Sequence, residues 1–182
     1  MTEINILDKQ FKQFITEEEI IKNVNSIAEK INNDYENKNP IILCVLKGSF
    51  MFLSDLTKKL KINCSISFIQ IKSYEDTKSS GVIKEVLGLK DDINHRDIII
   101  VEDIVDTGLT YNFLLEYLSK YNPSSLRIAT LFYKSSVYLK KFKNPPDYFA
   151  FDIPDKFIVG YGLDYNQYGR NYSQIYELVS DK

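Results

Sequence analysis

Three stretches of the chain carry apolar residues at intervals of three and four positions, which is the spacing of an amphipathic helix. In the first, Thr16-Glu17-Glu18-Glu19 has the form of a capping box, and apolar positions follow from Ile20 to Ile31. This pattern predicts a helix that ends near Asn32. The same spacing predicts a second helix from Phe50 to Leu60 and a third from about Thr110 to Lys120.

Three other stretches are apolar almost without a break. They are Ile41–Leu46, Asp97–Val101 and Leu126–Tyr133. A strand with no polar face is typical of a sheet that is covered on both sides. Strands that alternate with helices predict right-handed βαβ units, and therefore an α/β fold with a parallel twisted sheet flanked by helices. Ligands of such sheets bind beyond the carboxyl ends of the strands, where the loops after Leu46, Val101 and Tyr133 lie.

The remaining segments predict smaller structures beside this sheet. Cys64 to Ile71 alternates between apolar and polar residues, and a polar loop from Ser73 to Ser80 separates it from a short strand at Val82–Leu89, so the pair predicts a β-ribbon. From about residue 151 to residue 182 the pattern of apolar positions is too irregular to continue the alternation of strands and helices. We expect these residues to form, with the N-terminus, a small hood on a core of about residues 15–150, all within one domain. Short strands are predicted within residues 148–151, 157–159 and 174–179.

The composition fits one folded domain and argues against several classes of protein. The chain has 182 residues, of which 44% are hydrophobic and 26% charged, so it is too apolar to be disordered. Its net charge of −2 argues against a nucleic-acid binder that relies on positive charge. No stretch approaches about 18 consecutive apolar residues and the first residues form no apolar leader, so we expect no membrane insertion. Cys44 and Cys64 lie in apolar runs, which predicts reduced thiols and a cytoplasmic protein.

The richest chemistry follows the strand predicted to end at Val101. Two acids, Glu102 and Asp103, precede the run Asp106-Thr107-Gly108-Leu109-Thr110, which leads into the third helix. Backbone N–H groups at such a turn, together with the threonine hydroxyls, form a cradle suited to a phosphate monoester. The two acids suit the hydroxyls of a ribose or a Mg²⁺ ion. For any single residue of this run, the alternative is an ordinary polar strand end or helix cap.

The run from Val101 to Thr110 resembles the phosphoribosyl-pyrophosphate signature of the type I phosphoribosyltransferases. Further motifs between about Ile41 and Arg170 follow in the same order as in the hypoxanthine-guanine phosphoribosyltransferases of that family. The resemblance implies transfer of a phosphoribosyl group from phosphoribosyl pyrophosphate to N9 of hypoxanthine or guanine, giving IMP or GMP and pyrophosphate in purine salvage. It implies Mg²⁺ as the cofactor, and a homodimer or homotetramer. A xanthine-preferring enzyme and a regulator of the same fold that senses phosphoribosyl pyrophosphate remain alternatives.

The resemblance assigns pyrophosphate and the phosphoribosyl group to separate segments. Leu46-Lys47-Gly48-Ser49 resembles the family's pyrophosphate loop, in which a cis peptide bond between the Leu and Lys positions turns backbone N–H groups toward the diphosphate. Lys47, Gly48 and Arg170 are assigned to pyrophosphate. Asp106 is the candidate general base for the proton of the purine imidazole. The residues assigned to the phosphoribosyl group and its 5′-phosphate are Glu102, Asp103, Asp106, Thr107, Gly108, Leu109 and Thr110.

The same resemblance assigns the purine to the second half of the chain. Lys134 matches the lysine that donates a hydrogen bond to the 6-oxygen, and such a donor disfavours a 6-amino group. Pro154 to Tyr165 resembles the purine-binding hood, where Phe157 stacks on the base and Ile158 bonds it through the main chain. Ser73-Tyr74 resembles the start of a mobile loop that closes over the substrates. The residues assigned to Mg²⁺ are Glu102, Asp103 and Asp164, and Asp164 is also placed near the purine.

Overall fold

The computed structural model describes residues 2–76, 79–89, 91–139, 142 and 144–179, and for residues 72–76 and 79–87 it describes the main chain alone. The strands and helices alternate along most of this length. In chain order they are β1 (Glu3–Ile6), β2 (Lys9–Ile15), α1 (Glu17–Asp34), β3 (Ile41–Leu46), α2 (Phe50–Thr57), β4 (Ser65–Asp76), β5 (Ser79–Leu87), β6 (Asp97–Val105), α3 (Leu109–Ser119), β7 (Ser125–Tyr133), α4 (Ser135–Tyr138), β8 (Tyr148–Asp152), β9 (Ile158–Val159) and β10 (Ile175–Leu178).

Helix α1 begins where the sequence predicts it. The Glu19 N–H donates a hydrogen bond to the Thr16 hydroxyl (3.2 Å), and the Thr16 N–H donates one to the Glu19 carboxylate (2.9 Å), which completes the capping box. The apolar positions Ile20, Val24 and Ile31 are buried, as their spacing predicts. This buried stripe fixes which face of the helix packs on the sheet.

Six strands form the main sheet in the order β5-β4-β3-β6-β7-β8. Strands β3, β4, β6, β7 and β8 run parallel, and β5 pairs antiparallel with β4, so the predicted parallel sheet is confirmed. The side chains of β3 explain its continuous apolar sequence. Ile42 and Cys44 belong to the core that includes α1 and α2, and Ile41 and Leu43 belong to the core that includes α3. Helices therefore cover both faces of the sheet.

A second, smaller sheet joins the two ends of the chain in the order β1-β2-β10-β9. All of its pairs are antiparallel, and its core contains Ile6, Phe11, Val159 and Tyr176. The sequence predicted β9 and β10 but missed β1 and β2. Strand β1 is short and β2 is rich in Lys and Gln, and the strand that orders them, β10, lies at the far end of the chain.

Strand β6 is longer than predicted, because it ends at Val105 and the prediction ended it at Val101. The neighbouring strand β7 continues to pair with it up to the Val105–Tyr133 pair. This pairing keeps the backbone of Glu102 and Asp103 extended although their side chains are polar. The two acids therefore lie within the strand and not in the loop after it.

The predicted loop from Ser73 to Ser80 is wrong in its bounds. Ser73 and Tyr74 lie in strand β4, which pairs with β5 as far as the Asp76–Ser79 pair, while residues 77 and 78 fall outside the described part of the chain. The second helix is shorter than predicted and ends at Thr57. The sequence also missed the short helix α4. Among the described residues, no helix has the length and apolar character needed to cross a membrane.

Candidate active site

The candidate site lies where strands β3 and β6 separate. From this central pair the chain continues to β4 on one side and to β7 and β8 on the other. The pairing ends at Cys44–Val101, although β3 continues to Leu46 and β6 to Val105. A crevice at the carboxyl ends of strands, where the strand order switches direction, is where open α/β sheets bind ligands. A cavity of about 130 Å³ lies there, lined by Val45, Leu46, Lys47, Gly48, Ile71, Glu102, Asp103 and Thr110.

The loop after β3 touches the acids of β6 at Gly48. A Cβ atom on Gly48 would lie 1.4 Å from Oδ2 of Asp103, so any side chain at this position would displace the Asp103 carboxylate. Gly162 approaches from the other side with φ +99°, and its Cβ would lie 1.9 Å from the Gly48 carbonyl oxygen. The Leu46–Lys47 peptide bond is cis, as the resemblance implies. Three distant segments of the chain therefore meet at the main chain of Gly48.

Glu102 and Asp103 are neighbouring carboxylates that line this cavity. Glu102 is buried, and its Oε2 has no hydrogen-bond partner among the described residues. Burial, with the charges of Asp103 and Asp106, raises the pKa of Glu102 well above its usual value. Burial also raises the pKa of Asp103 to about 6, although the Ile104 N–H donates to its Oδ1 (2.8 Å) and the charge of Arg170 acts in the opposite direction.

This pair of acids fits a hard divalent cation. Burial and mutual repulsion both destabilise the two charges, and a cation bound to these carboxylates would offset both effects. Mg²⁺ is usually held by one or two carboxylates together with substrate oxygens and water. The unpartnered Oε2 of Glu102 is an oxygen of the kind that this ion prefers.

The turn after β6 has the form of an anion cradle. Asp106 accepts a hydrogen bond from the Thr107 N–H, and Gly108 follows with φ +76°. A Cβ atom on Gly108 would lie 2.6 Å from the ring of Tyr138, so both its φ and its packing require glycine. Helix α3 begins at Leu109, and no side chain of the described residues caps it. Its first N–H groups are therefore available to an anion.

Arg170 and Asp164 lie together in the C-terminal segment. The guanidinium of Arg170 donates to the Gly162 carbonyl (2.7 Å) and pairs with Oδ1 of Asp164 (2.6 Å). The other carboxylate oxygen of Asp164 accepts a hydrogen bond from the Gln167 N–H (2.7 Å). Since Gly162 touches Gly48, these contacts connect the C-terminal segment to the loop after β3.

Phe157 and Ile158 lie at the free edge of the smaller sheet. Phe157 is 48% exposed, and its ring stands edge-on to that of Tyr165 with 6.0 Å between the centroids. The Phe157 carbonyl accepts a hydrogen bond from the Leu178 N–H (2.9 Å). Hydrogen-bonded and non-hydrogen-bonded pairs alternate in an antiparallel ladder, so the next residue, Ile158, points its N–H and C=O away from β10. Strand β9 ends the order of the sheet, so no further strand among the described residues pairs with these two groups.

Lys134 follows β7 and is buried, and its ammonium donates to Oδ1 of Asp155 (2.8 Å). The sequence prediction gave Asp155 no role, although this residue lies in the run from Pro154 to Tyr165, because its contact with Lys134 depends on how two distant segments approach. It also missed Gly162, although the repeated glycines of Gly160-Tyr161-Gly162 were a visible signal of unusual backbone. Of the predicted loop residues Ser73 and Tyr74, the structure describes only the main chain.

Comparisons with known proteins match almost the whole chain. A family model described as a phosphoribosyl transferase domain matches residues 11–166. A hypoxanthine-guanine phosphoribosyltransferase of Dictyostelium discoideum is 42% identical over 171 residues, which cover 91% of this chain and 94% of that protein. A protein of the same name from Aquifex aeolicus is 38% identical over 178 residues, which cover 97% of this chain and 98% of the relative.

Solved structures share the fold over the same length. A crystal structure of a hypoxanthine-guanine phosphoribosyltransferase from Bacillus anthracis, with a HEPES molecule in its active site, matches with a TM-score of 0.87 and 36% identity, covering 92% of this chain and 98% of that one. A hypoxanthine phosphoribosyl transferase from Trypanosoma cruzi also gives a TM-score of 0.87, with 32% identity, covering 97% of this chain and 95% of its own.

Proposed function

Because the chain belongs to the phosphoribosyl transferase family, in the branch of the hypoxanthine-guanine phosphoribosyltransferases, we propose that it transfers the phosphoribosyl group of phosphoribosyl pyrophosphate to N9 of hypoxanthine and of guanine. The products are IMP or GMP and pyrophosphate, and the role is purine salvage. The observation that carries this proposal is the crevice between β3 and β6. There an open helix N-terminus, the buried Glu102, the half-buried Asp103 and the Gly48 loop converge.

The turn from Asp106 to Thr110 binds the 5′-phosphate. Its amides, Gly108 and the hydroxyls of Thr107 and Thr110 supply hydrogen bonds, and the positive end of the α3 dipole adds to the attraction. Purine N9 attacks C1′ of the ribose while the bond from C1′ to the pyrophosphate oxygen breaks. Asp106 is exposed at the start of the turn and accepts the proton that the purine imidazole releases.

Glu102 and Asp103 bind the ribose hydroxyls, and they are the residues that would hold Mg²⁺. When bound, Mg²⁺ offsets the negative charge of the departing pyrophosphate. Arg170 provides a fork of N–H donors for pyrophosphate oxygens, next to the main chain of Lys47 and Gly48. Asp164, which pairs with Arg170 here, would be a ligand for a second Mg²⁺.

The purine lies between the two sheets. Phe157 offers its exposed ring for stacking, and Ile158 offers its free main-chain groups to the polar edge of the base. The ammonium of Lys134 donates to the 6-oxygen, and Asp164 lies near the amino group of guanine. Since an ammonium has donors and no acceptor, it favours a 6-oxopurine over a 6-aminopurine.

Three further features belong to the proposal. The ribbon that carries Ser73 and Tyr74 closes over the bound substrates. The chain assembles as a homodimer or homotetramer. It acts in the cytoplasm, which agrees with its two free cysteines, Cys44 and Cys64.

The test is nucleotide formation from hypoxanthine, guanine, xanthine and adenine with phosphoribosyl pyrophosphate, with and without Mg²⁺. We expect turnover of the first two bases only, and only with the metal. Asp106→Asn, purified in the same way, controls for contaminating activity. Faster turnover of xanthine than of hypoxanthine and guanine would support the xanthine-preferring alternative. Binding of phosphoribosyl pyrophosphate without any turnover would support the regulator.

A further inference from the structure

Lys134 and Asp155 form an ion pair between the two sheets. Lys134 directly follows β7 of the main sheet, and Asp155 lies in the segment that leads to β9 of the smaller sheet. The distance from Nζ to Oδ1 is 2.8 Å. The lysine side chain is only 11% exposed, whereas the aspartate side chain is 69% exposed. The pair therefore joins a buried ammonium to a carboxylate that is exposed to solvent.

We propose that Asp155 is a positioning residue that sets the preference for a 6-oxopurine over a 6-aminopurine, by holding the Lys134 ammonium in place beside the base. The inference rests on the proposed function, because it assumes that Lys134 faces the 6-position. No residue assignment from the sequence included Asp155. Its carboxylate does not touch the substrate in this account.

The chemistry of an ammonium explains why a counter-charge matters here. A buried ammonium without a partner is costly, so the lysine side chain without its carboxylate turns toward solvent. An ammonium carries three N–H donors. One of them is directed at Asp155, and this ammonium makes no second hydrogen bond among the described residues. The remaining donors serve the 6-oxygen, and they offer nothing to a 6-amino group.

The segment around Asp155 is itself held in place, which makes it a suitable anchor. The next residue, Lys156, donates to the buried carboxylate of Glu177 on β10, and Glu177 also pairs with Lys12 on β2 (3.1 Å). Phe157, the proposed stacking platform, follows directly. Asp155 therefore fixes the ammonium relative to the ring on which the base stacks.

The experiment compares steady-state kinetics and product binding of the wild type, Asp155→Asn, Asp155→Glu and Asp152→Asn. The control residue, Asp152, is an exposed acid on the same segment that accepts from the Ser135 N–H, so its variant makes the same change in charge without touching Lys134. For Asp155→Asn we expect the KM for hypoxanthine to rise about tenfold and the KM for phosphoribosyl pyrophosphate to stay within about twofold. IMP should bind about tenfold more weakly, with AMP binding unchanged or tighter. Asp155→Glu should restore most of the loss.

The outcomes separate the inference from the function on which it rests. If the wild type forms IMP and Asp155→Asn changes both KM values equally, or weakens IMP and AMP alike, the inference is wrong and the function stands. The same holds if Asp152→Asn reproduces the effect. If the wild type forms no nucleotide from hypoxanthine, both are wrong.

Discussion

Replacing Asp103 by asparagine should make the ligand-free protein more stable at neutral pH. The folded protein raises the pKa of this carboxyl from 3.8 to about 6, so between these values the folded chain keeps a proton that the unfolded chain has lost. Stability therefore falls as the pH rises through this range. At pH 7.5 the full difference corresponds to about 3 kcal/mol, and partial solvent exposure reduces it to between about 1 and 3 kcal/mol.

Asparagine has no charge, so it removes the loss of stability that ionised Asp103 causes, and it keeps the shape of the side chain. Its side-chain oxygen can still accept from the Ile104 N–H, and it still lies against Gly48. Loss of the charge also relieves Glu102, whose pKa Asp103 helps to raise. We therefore expect a gain in the free energy of unfolding that is larger at pH 7.5 than at pH 5.

Urea denaturation of the wild type and of Asp103→Asn at both pH values measures this gain. Asp92→Asn is the matched control, because Asp92 is an exposed acid that also accepts from a backbone N–H, that of Asn94. Mg²⁺ with pyrophosphate should stabilise the wild type and should stabilise Asp103→Asn less. A variant that is no more stable than the wild type at pH 7.5 would refute the reasoning about the buried acids.

Three substitutions test the remaining roles. Asp106→Asn should keep IMP affinity and lower kcat by about 10²–10⁴-fold, since it removes a general base, and unchanged turnover would exclude Asp106 from that role. Lys134→Ala should raise the KM for hypoxanthine far more than the KM for phosphoribosyl pyrophosphate, and equal changes would contradict its contact with the base. Phe157→Leu should weaken IMP binding by about 1–3 kcal/mol in calorimetry, because stacking is lost while apolar bulk is kept, and unchanged affinity would argue against the platform.

Local signals were enough to predict the elements whose buried residues follow a clear pattern along the chain. The capping box at Thr16 and the stripe after it predicted α1, and the unbroken apolar run Ile41–Leu46 predicted a strand covered on both sides. The order of acids, glycine and threonine from Glu102 to Thr110 likewise predicted the glycine turn that leads into α3. In each case the residues that decide the structure are neighbours in the sequence.

The sequence could not predict the features that depend on contacts between distant segments. The length of β6 is set by its pairing with β7, so the polar side chains of Glu102 and Asp103 gave a false end to the strand. The contact between Gly48 and Gly162 and the pair formed by Lys134 and Asp155 need the folded arrangement of both sheets. The raised pKa values of the acids follow from burial, which no local pattern records.

The central claim is that the turn after β6 binds the 5′-phosphate while Glu102 and Asp103 face the sugar. A crystal structure of the protein with IMP and Mg²⁺ tests it directly. We expect the phosphate oxygens within about 3 Å of the N–H groups between Asp106 and Thr110, and the ribose hydroxyls facing the two acids. A phosphate bound at any other place, with this turn free of ligand, would contradict the account.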